Sequence, residues 1–285
     1  MNPDIVVCIV LIILSIAALA IIIPSCIVHA KYKNFLLKHS ISLKRLETIN
    51  KGYSFNVIRN FDQFNSYDNE SFYGNISPRD YLIYKLTYIK NQVKMTIDDA
   101  EENRHKYDEY EKEIAEKCVP GMFDTTENVP PNNKRLLRME KKYILRNALY
   151  PTVNFSILVG LELTNINGAH RASKRARFHA PEILTLIKEV NKKQGYYYTV
   201  PEIWDAICRV ERGKVTNRMR FAIYQRDGWR CKKCGRKNKY LEIDHIVPIA
   251  KGGKSTYDNL QTLCHSCNKK KGTNIEDYTS RTRRY

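Results

Sequence analysis

Cys231-Lys232-Lys233-Cys234 and Cys264-His265-Ser266-Cys267 are two C-x-x-C pairs with 29 residues between them, and they enclose Tyr240-Leu241-Glu242-Ile243-Asp244-His245-Ile246-Val247-Pro248. Two such knuckles supply four thiolates, enough to close a tetrahedral zinc site, and a metal of this kind contributes folding energy directly in a small domain. Cys231, Cys234, Cys264 and Cys267 are therefore expected to hold one structural Zn2+. The enclosed stretch alternates like a β-strand and ends on Asp244-His245. Gly252-Gly253 marks a loop after it, and Asp258-Asn259-Leu260-Gln261-Thr262-Leu263 leads into the second knuckle. Asn268-Lys269-Lys270-Lys271-Gly272 follows directly.

The motifs C-x-x-C, D-H-I-x-P, G-G, N-L-Q-x-L-C-x-x-C-N and K-K-x-G thus occur in order, and in this the segment resembles the HNH endonuclease family. The resemblance implies a β-hairpin, a loop and a helix around one catalytic metal. It casts Asp244 as a ligand of that ion and His245 as the base that deprotonates water. A neutral imidazole suits this role near pH 7. It also casts Asn259 as the residue that holds the loop and orients the histidine. The third motif letter falls on Asn268, which makes this an H-N-N variant. An amide oxygen suits a hard ion, so Mg2+ or Mn2+ is expected with Asp244 and Asn268 as ligands. His265, inside the knuckle, is expected to lie outside the ligand set.

Lys and Arg total 48 against 30 Asp and Glu, a net charge of +18, which favours polyanionic partners. The segment Glu211–Tyr285 holds 19 basic and 7 acidic residues, so 19 − 7 = +12 of that excess lies there. Arg226, Arg230, Lys232, Lys233, Lys269, Lys270 and Lys271 are expected to grip a DNA backbone, joined by Arg218, Arg220, Arg236, Lys237, Lys239, Arg281, Arg283 and Arg284. Tyr224 and Trp229 are expected to pack under the first knuckle, with base stacking as the alternative.

Ile5 to Val28 is a 24-residue run of Ile, Leu, Val and Ala, broken by Ser15, Pro24, Ser25 and two cysteines. About 20 apolar residues cross a bilayer core, so a single transmembrane helix is expected at 5–28. A signal peptide is disfavoured by the length and by the absence of Lys or Arg in Met1–Asp4. Lys31, Lys33, Lys38, Lys44 and Arg45 follow the run, so the positive-inside rule leaves residues 1–4 extracytoplasmic and the carboxy-terminal bulk cytoplasmic. Paired cysteines that bind metal agree with a reducing compartment.

Between these ends the signals are weaker. Leu86, Val93, Ala100, Tyr107 and Ile114 recur every seventh residue. Polar Thr96, Asn103 and Lys117 on the adjoining row favour a long amphipathic helix packed in its own domain over a coiled coil. Pro120-Gly121 and Pro130-Pro131 mark a linker at 118–135, and Thr152–Leu163 reads as a buried strand. His170-Arg171-Ala172-Ser173-Lys174-Arg175-Ala176-Arg177 reads as a solvated basic loop, with phosphate contact as the alternative. The expected fold is α+β: the membrane helix at 5–28, a mainly helical region at 29–117, the linker, a mixed helical region at 136–212 and the HNH domain at 213–285. The expected function is DNA phosphodiester hydrolysis, with RNA as an alternative substrate. The alternative is a non-catalytic zinc module that binds nucleic acid at the membrane.

Overall fold

The structure, a computed structural model, describes residues 25–127, 129–131, 133–165, 167–237 and 240–279. It comprises two compact units, Met1–Val57 with Asp99–Val153, and Ile58–Asp98 with Asn154–Tyr285.

The first unit is helical. Helix α1 (25–39) is followed by α2 (Ile41–Gly52), whose N-cap Ser40 accepts from the Leu43 amide. The part of α4 (Pro78–Lys117) from Asp99 onward and α5 (Asn133–Asn147) supply the other walls. Leu46, Ile49, Tyr110, Cys118 and Ile144 form one core cluster, with Tyr107 and Ile114 packed against it. Tyr107 and Ile114 belong to the heptad row. The polar second row is also used internally. Buried Asn103 accepts from the Asn56 amide at 2.8 Å and donates to the Asn56 and Thr152 carbonyls. Satisfying this amide within the chain is what a packed amphipathic helix requires.

No helix among the described residues is long and apolar enough to cross a membrane. This overturns the transmembrane helix expected at Ile5–Val28, together with the single-pass localisation and the membrane partner. Residues 1–4 and 5–24 lie outside the described residues. The remaining part, 25–28, opens α1, which carries Lys31, Lys33 and Lys38 and buries Tyr32, Phe35 and Leu36 in a protein core with Leu136. A helix with three ammonium groups and an apolar stripe packed on protein has the face pattern of an amphipathic helix, not of a lipid-embedded one.

The second unit mixes helix and strand. β1 (Gln63–Tyr67) pairs in parallel with β2 (Ser156–Thr164), which pairs antiparallel with β3 (His170–His179), in the order β1-β2-β3. The sheet adds β1 and β3 to the buried strand expected at Thr152–Leu163, within a middle region that is otherwise mainly helical. The basic run at 170–177 is a strand, and its charges masked an alternation of exposed and covered side chains. Ile157, Val159, Leu161 and Leu163 of β2 form the buried face. Helix α3 (Glu70–Asn75) caps on Asn69, and Lys174 of β3 donates to the Tyr73, Gly74 and Ile76 carbonyls at 2.6–3.2 Å. Then come α6 (Ala180–Asn191), a two-residue ladder of β4 (Lys193–Gln194) with β5 (Tyr197–Tyr198), α7 (Pro201–Gly213) and α8 (Asn217–Arg226). Proline in the first turn of α6 and α7 fits their starts, where an amide has no helical acceptor.

Candidate active site

Strand β6 (Leu241–His245) pairs antiparallel with β7 (Leu260–Cys264), setting Leu241 opposite Cys264 and His245 opposite Leu260. Helix α9 (His265–Lys271) leaves the end of β7. The hairpin brings the knuckles together, and Lys232 N donates to Thr262 O at 2.9 Å. The four sulfurs of Cys231, Cys234, Cys264 and Cys267 lie within 4.8 Å of one another, with Cys234 and Cys264 3.9 Å apart. Tetrahedral zinc thiolates at ordinary bond length place their sulfurs roughly 3.8 Å apart, so donor type and spacing both fit a structural zinc site. Burial raises the Cys231 thiol, but the backbone amides of Cys234, Cys264 and Lys233 outweigh it and bring it down to about 7. Burial and the neighbouring thiols push Cys267 up to about 12. A divalent cation relieves such crowding of thiolates.

Asp244, His245 and Asn268 line one cleft of about 700 Å³, together with Glu242, Arg212 and Trp204. Successive residues of a strand point to opposite faces. Asp244 and His245 share the cleft because His245 ends β6. Its Nε2 lies 2.8 Å from Ser255 Oγ, and that hydroxyl donates to the Glu211 carbonyl at 2.6 Å. A carbonyl only accepts, so the serine proton is committed and Nε2–H must donate to Ser255. The Nδ1 lone pair is then the basic one. Burial pulls the His245 imidazolium down to about 4; nearby Glu211 opposes this, while Arg212 and Lys271 add to it.

Asp244 Oδ2 accepts from Gln261 Nε2 at 3.1 Å and lies 3.2 Å from Lys271 Nζ. Burial holds its carboxyl above the usual range, because it outweighs the lowering by Gln261 and Lys271. Asn259 pins the loop: its Oδ1 accepts from Val247 N at 2.8 Å, and its Nδ2 donates to Val247 O and Lys254 O. The Gly252-Gly253 pair makes that loop possible. Gly252 has φ +84°, and a Cβ on Gly253 would stand 1.7 Å from Val247 O. Asn268 Nδ2 donates to Glu242 Oε2 at 2.7 Å, which turns its amide oxygen away from that carboxylate. His265 is exposed and pairs with the same carboxylate through Nδ1 at 2.8 Å.

The residues expected to grip DNA separate into two groups. Arg230, Lys233, Lys269 and Lys270 are exposed, as are Arg218, Arg236 and Lys237, while Lys232 is half-buried. Arg226 is instead an internal brace. It binds both Asp227 carboxylate oxygens and the Tyr257 and Leu260 carbonyls. Lys271 is 1% exposed, with its ammonium on Asp244 and the His245 carbonyl at 2.7 Å. Breaking a buried pair by removing one partner costs about 3–5 kcal/mol. Lys271→Met should therefore lower the urea-unfolding stability by about 3 kcal/mol or more; an unchanged midpoint would show that this ammonium holds nothing. Tyr224 donates to the Leu241 carbonyl at 3.0 Å, whereas Trp229, stacked on Tyr224 with ring centroids 5.2 Å apart, stays 47% exposed. Lys239, Arg281, Arg283 and Arg284 lie outside the described residues.

Sequence reasoning missed Arg212, Ser255, Glu211, Glu242 and Gln261. Glu242 had a signal, since it stands two residues before Asp244 and so shares its strand face. The others reach the site from separate elements.

The HNH endonuclease family matches residues 231–274. This segment is an HNH domain. The chain is similar to the type IV methyl-directed restriction enzyme EcoKMcrA of Escherichia coli, at 34% identity over 82 residues, or 28% of this chain and 26% of that enzyme. It is similar also to the CRISPR-associated endonuclease Cas9 of Corynebacterium diphtheriae, at 41% identity over 56 residues, or 19% of this chain and 5% of that protein. The chain thus spans about a quarter or less of the length of these curated relatives. No solved structure matches it. The HNH domain, its nuclease relatives and the four-cysteine cluster support a nuclease or nucleic-acid-binding role for this part of the chain.

Proposed function

We propose that the chain is a divalent-metal-dependent endonuclease that hydrolyses DNA phosphodiester bonds at the cleft of its HNH domain. The observation that carries this reading is the meeting of Asp244, His245, Asn268 and Arg212 in one cavity. His245, held by Ser255 through Nε2, accepts a proton from water at Nδ1. Asp244 and the Asn268 amide offer oxygen donors, which fit Mg2+ or Mn2+ better than a soft metal. When bound, such an ion polarises the scissile phosphate and relieves charge on the leaving oxygen. Arg212 is exposed on the cleft wall and offers a second cation to the phosphate. Asn259 keeps the loop closed behind the base, while Lys269, Lys270, Arg230 and Lys233 extend the positive surface without reading sequence.

Incubating the purified chain with supercoiled plasmid tests the reading. Magnesium or manganese should yield nicked or linear product, and their omission should yield none. Binding without cleavage under either ion would reject the enzyme in favour of a nucleic-acid-binding zinc module. Cleavage of an RNA substrate with the plasmid left intact would change the substrate class.

A further inference from the structure

The basic run His170–His179 takes no part in the cleft, yet its fold gives it a definite geometry. Along β3 the odd-numbered residues Arg171, Ser173, Arg175, Arg177 and His179 are all exposed. Register places Arg177 opposite Leu158, and Arg175 opposite Gly160, which in turn is opposite Phe64 of β1. One open sheet face therefore carries guanidinium groups beside an aromatic ring. Phe64 is 56% exposed, an uncommon state for a phenylalanine on a strand whose opposite face is covered. Its ring is seated on Gly160, where an added Cβ would lie 2.6 Å from a ring carbon. The glycine thus provides a flat bed for the aromatic.

The charges on this face are weakly committed. Arg175 lies 3.7 Å from Glu162 and Arg171 lies 3.8 Å from Glu70, with both guanidinium groups more than half exposed. Arg177 donates to the Ser156 hydroxyl at 3.0 Å. Exposed pairs of this kind contribute little, and a phosphate can replace the carboxylate. Arg171, Arg175 and Arg177 against Glu162 and Glu70 leave the face net positive, which complements a polyanion. The exposed ring narrows the choice. A duplex hides the π-faces of its bases, whereas an unpaired strand presents them for stacking.

We infer that the open face of the β1-β2-β3 sheet binds single-stranded DNA, with Phe64 stacking on a base and Arg171, Arg175 and Arg177 holding the adjoining phosphates. This rests on DNA being the ligand of the chain but involves no residue of the cleft. It gives the protein a second contact that engages unpaired nucleotides while the HNH cleft engages the scissile phosphate.

Fluorescence anisotropy of a labelled single-stranded oligonucleotide on the full chain, without magnesium or manganese, tests the inference. Phe64→Ala should weaken binding by about 5- to 100-fold, and Phe64→Tyr should retain it. Gly160→Ala, which leaves every charge in place but displaces the ring, should weaken it too. Arg175→Ala and Arg177→Ala should each lower the slope of log affinity against log salt by about 0.7. The matching duplex should not respond to Phe64→Ala. Wild-type affinity in Phe64→Ala, or equal losses on single strand and duplex, overturns the inference. A chain that binds through Phe64 but never cuts plasmid refutes only the nuclease. One that cuts plasmid but is indifferent to Phe64→Ala refutes only the sheet-face site.

Discussion

Cys234→Ser should leave the chain without its tightly held zinc and unfold the HNH segment. The four sulfurs converge from the two knuckles, and the pairing of β6 with β7 brings those knuckles together. Losing one thiolate removes more than one bond. Burial, together with the neighbouring thiols, already holds the Cys267 thiol up at about 12 without a cation. Apparent binding energies of about 10–16 kcal/mol in small zinc modules exceed the stability of most domains. Elemental analysis should give about one zinc per wild-type chain and markedly less in the variant. Limited proteolysis should then cut first within the segment that follows Arg230. A variant that is metal-free, protease-resistant and of wild-type stability would show that the cysteines pack without staple function.

His245→Ala should lower plasmid cleavage by on the order of 10²–10⁴ while DNA binding persists, because it removes a proton acceptor and no phosphate contact. The Ser255 and Glu211 contacts that fix its Nε2 tautomer predict a graded companion. Ser255→Ala should cost less than His245→Ala, because the imidazole is then misoriented but still present. Asp244→Ala and Asn268→Ala should shift the magnesium or manganese response to higher concentration, since each removes an oxygen donor. His265→Ala is the control. Its ring is exposed and bound to Glu242 Oε1, so its loss should leave cleavage within a few-fold. Should His265→Ala be as inactive as His245→Ala while Asn268→Ala cuts normally, the third ligand is wrongly assigned. Equal activity in His245→Ala, Asp244→Ala and Asn268→Ala would place the cleavage at another site.

Charge and hydropathy were less reliable guides than motif spacing. The apolar run Ile5–Val28 has the length of a membrane span, yet length and composition say nothing of what a helix packs against. In α1, Leu36 finds Leu136 across 100 residues of sequence. Basic residues were likewise counted as one class. Arg226 and Lys271 are held by internal carbonyls and carboxylates, while Arg230 and Lys270 face water. Nothing in a string of lysines distinguishes the buried third one, Lys271, from its neighbours. That difference appears only when the turn of α9 brings it over Asp244.

Cysteine spacing, the D-H pair at a strand end and the double glycine were legible in the sequence, and the resemblance to HNH endonucleases supplied the expected roles of Asp244, Asn259 and Asn268. Within each C-x-x-C pair and at the double glycine only a few residues are involved, and there the spacing dictates the local geometry. The protonated nitrogen of His245, the carboxylate that orients Asn268 and the internal role of Arg226 required the tertiary structure. So did the strand that turns a basic run into an open sheet face beneath Phe64. These features depend on burial and on partners such as Glu211, Glu242 and Gly160 that stand on other elements, and a one-dimensional pattern does not record which distant groups meet.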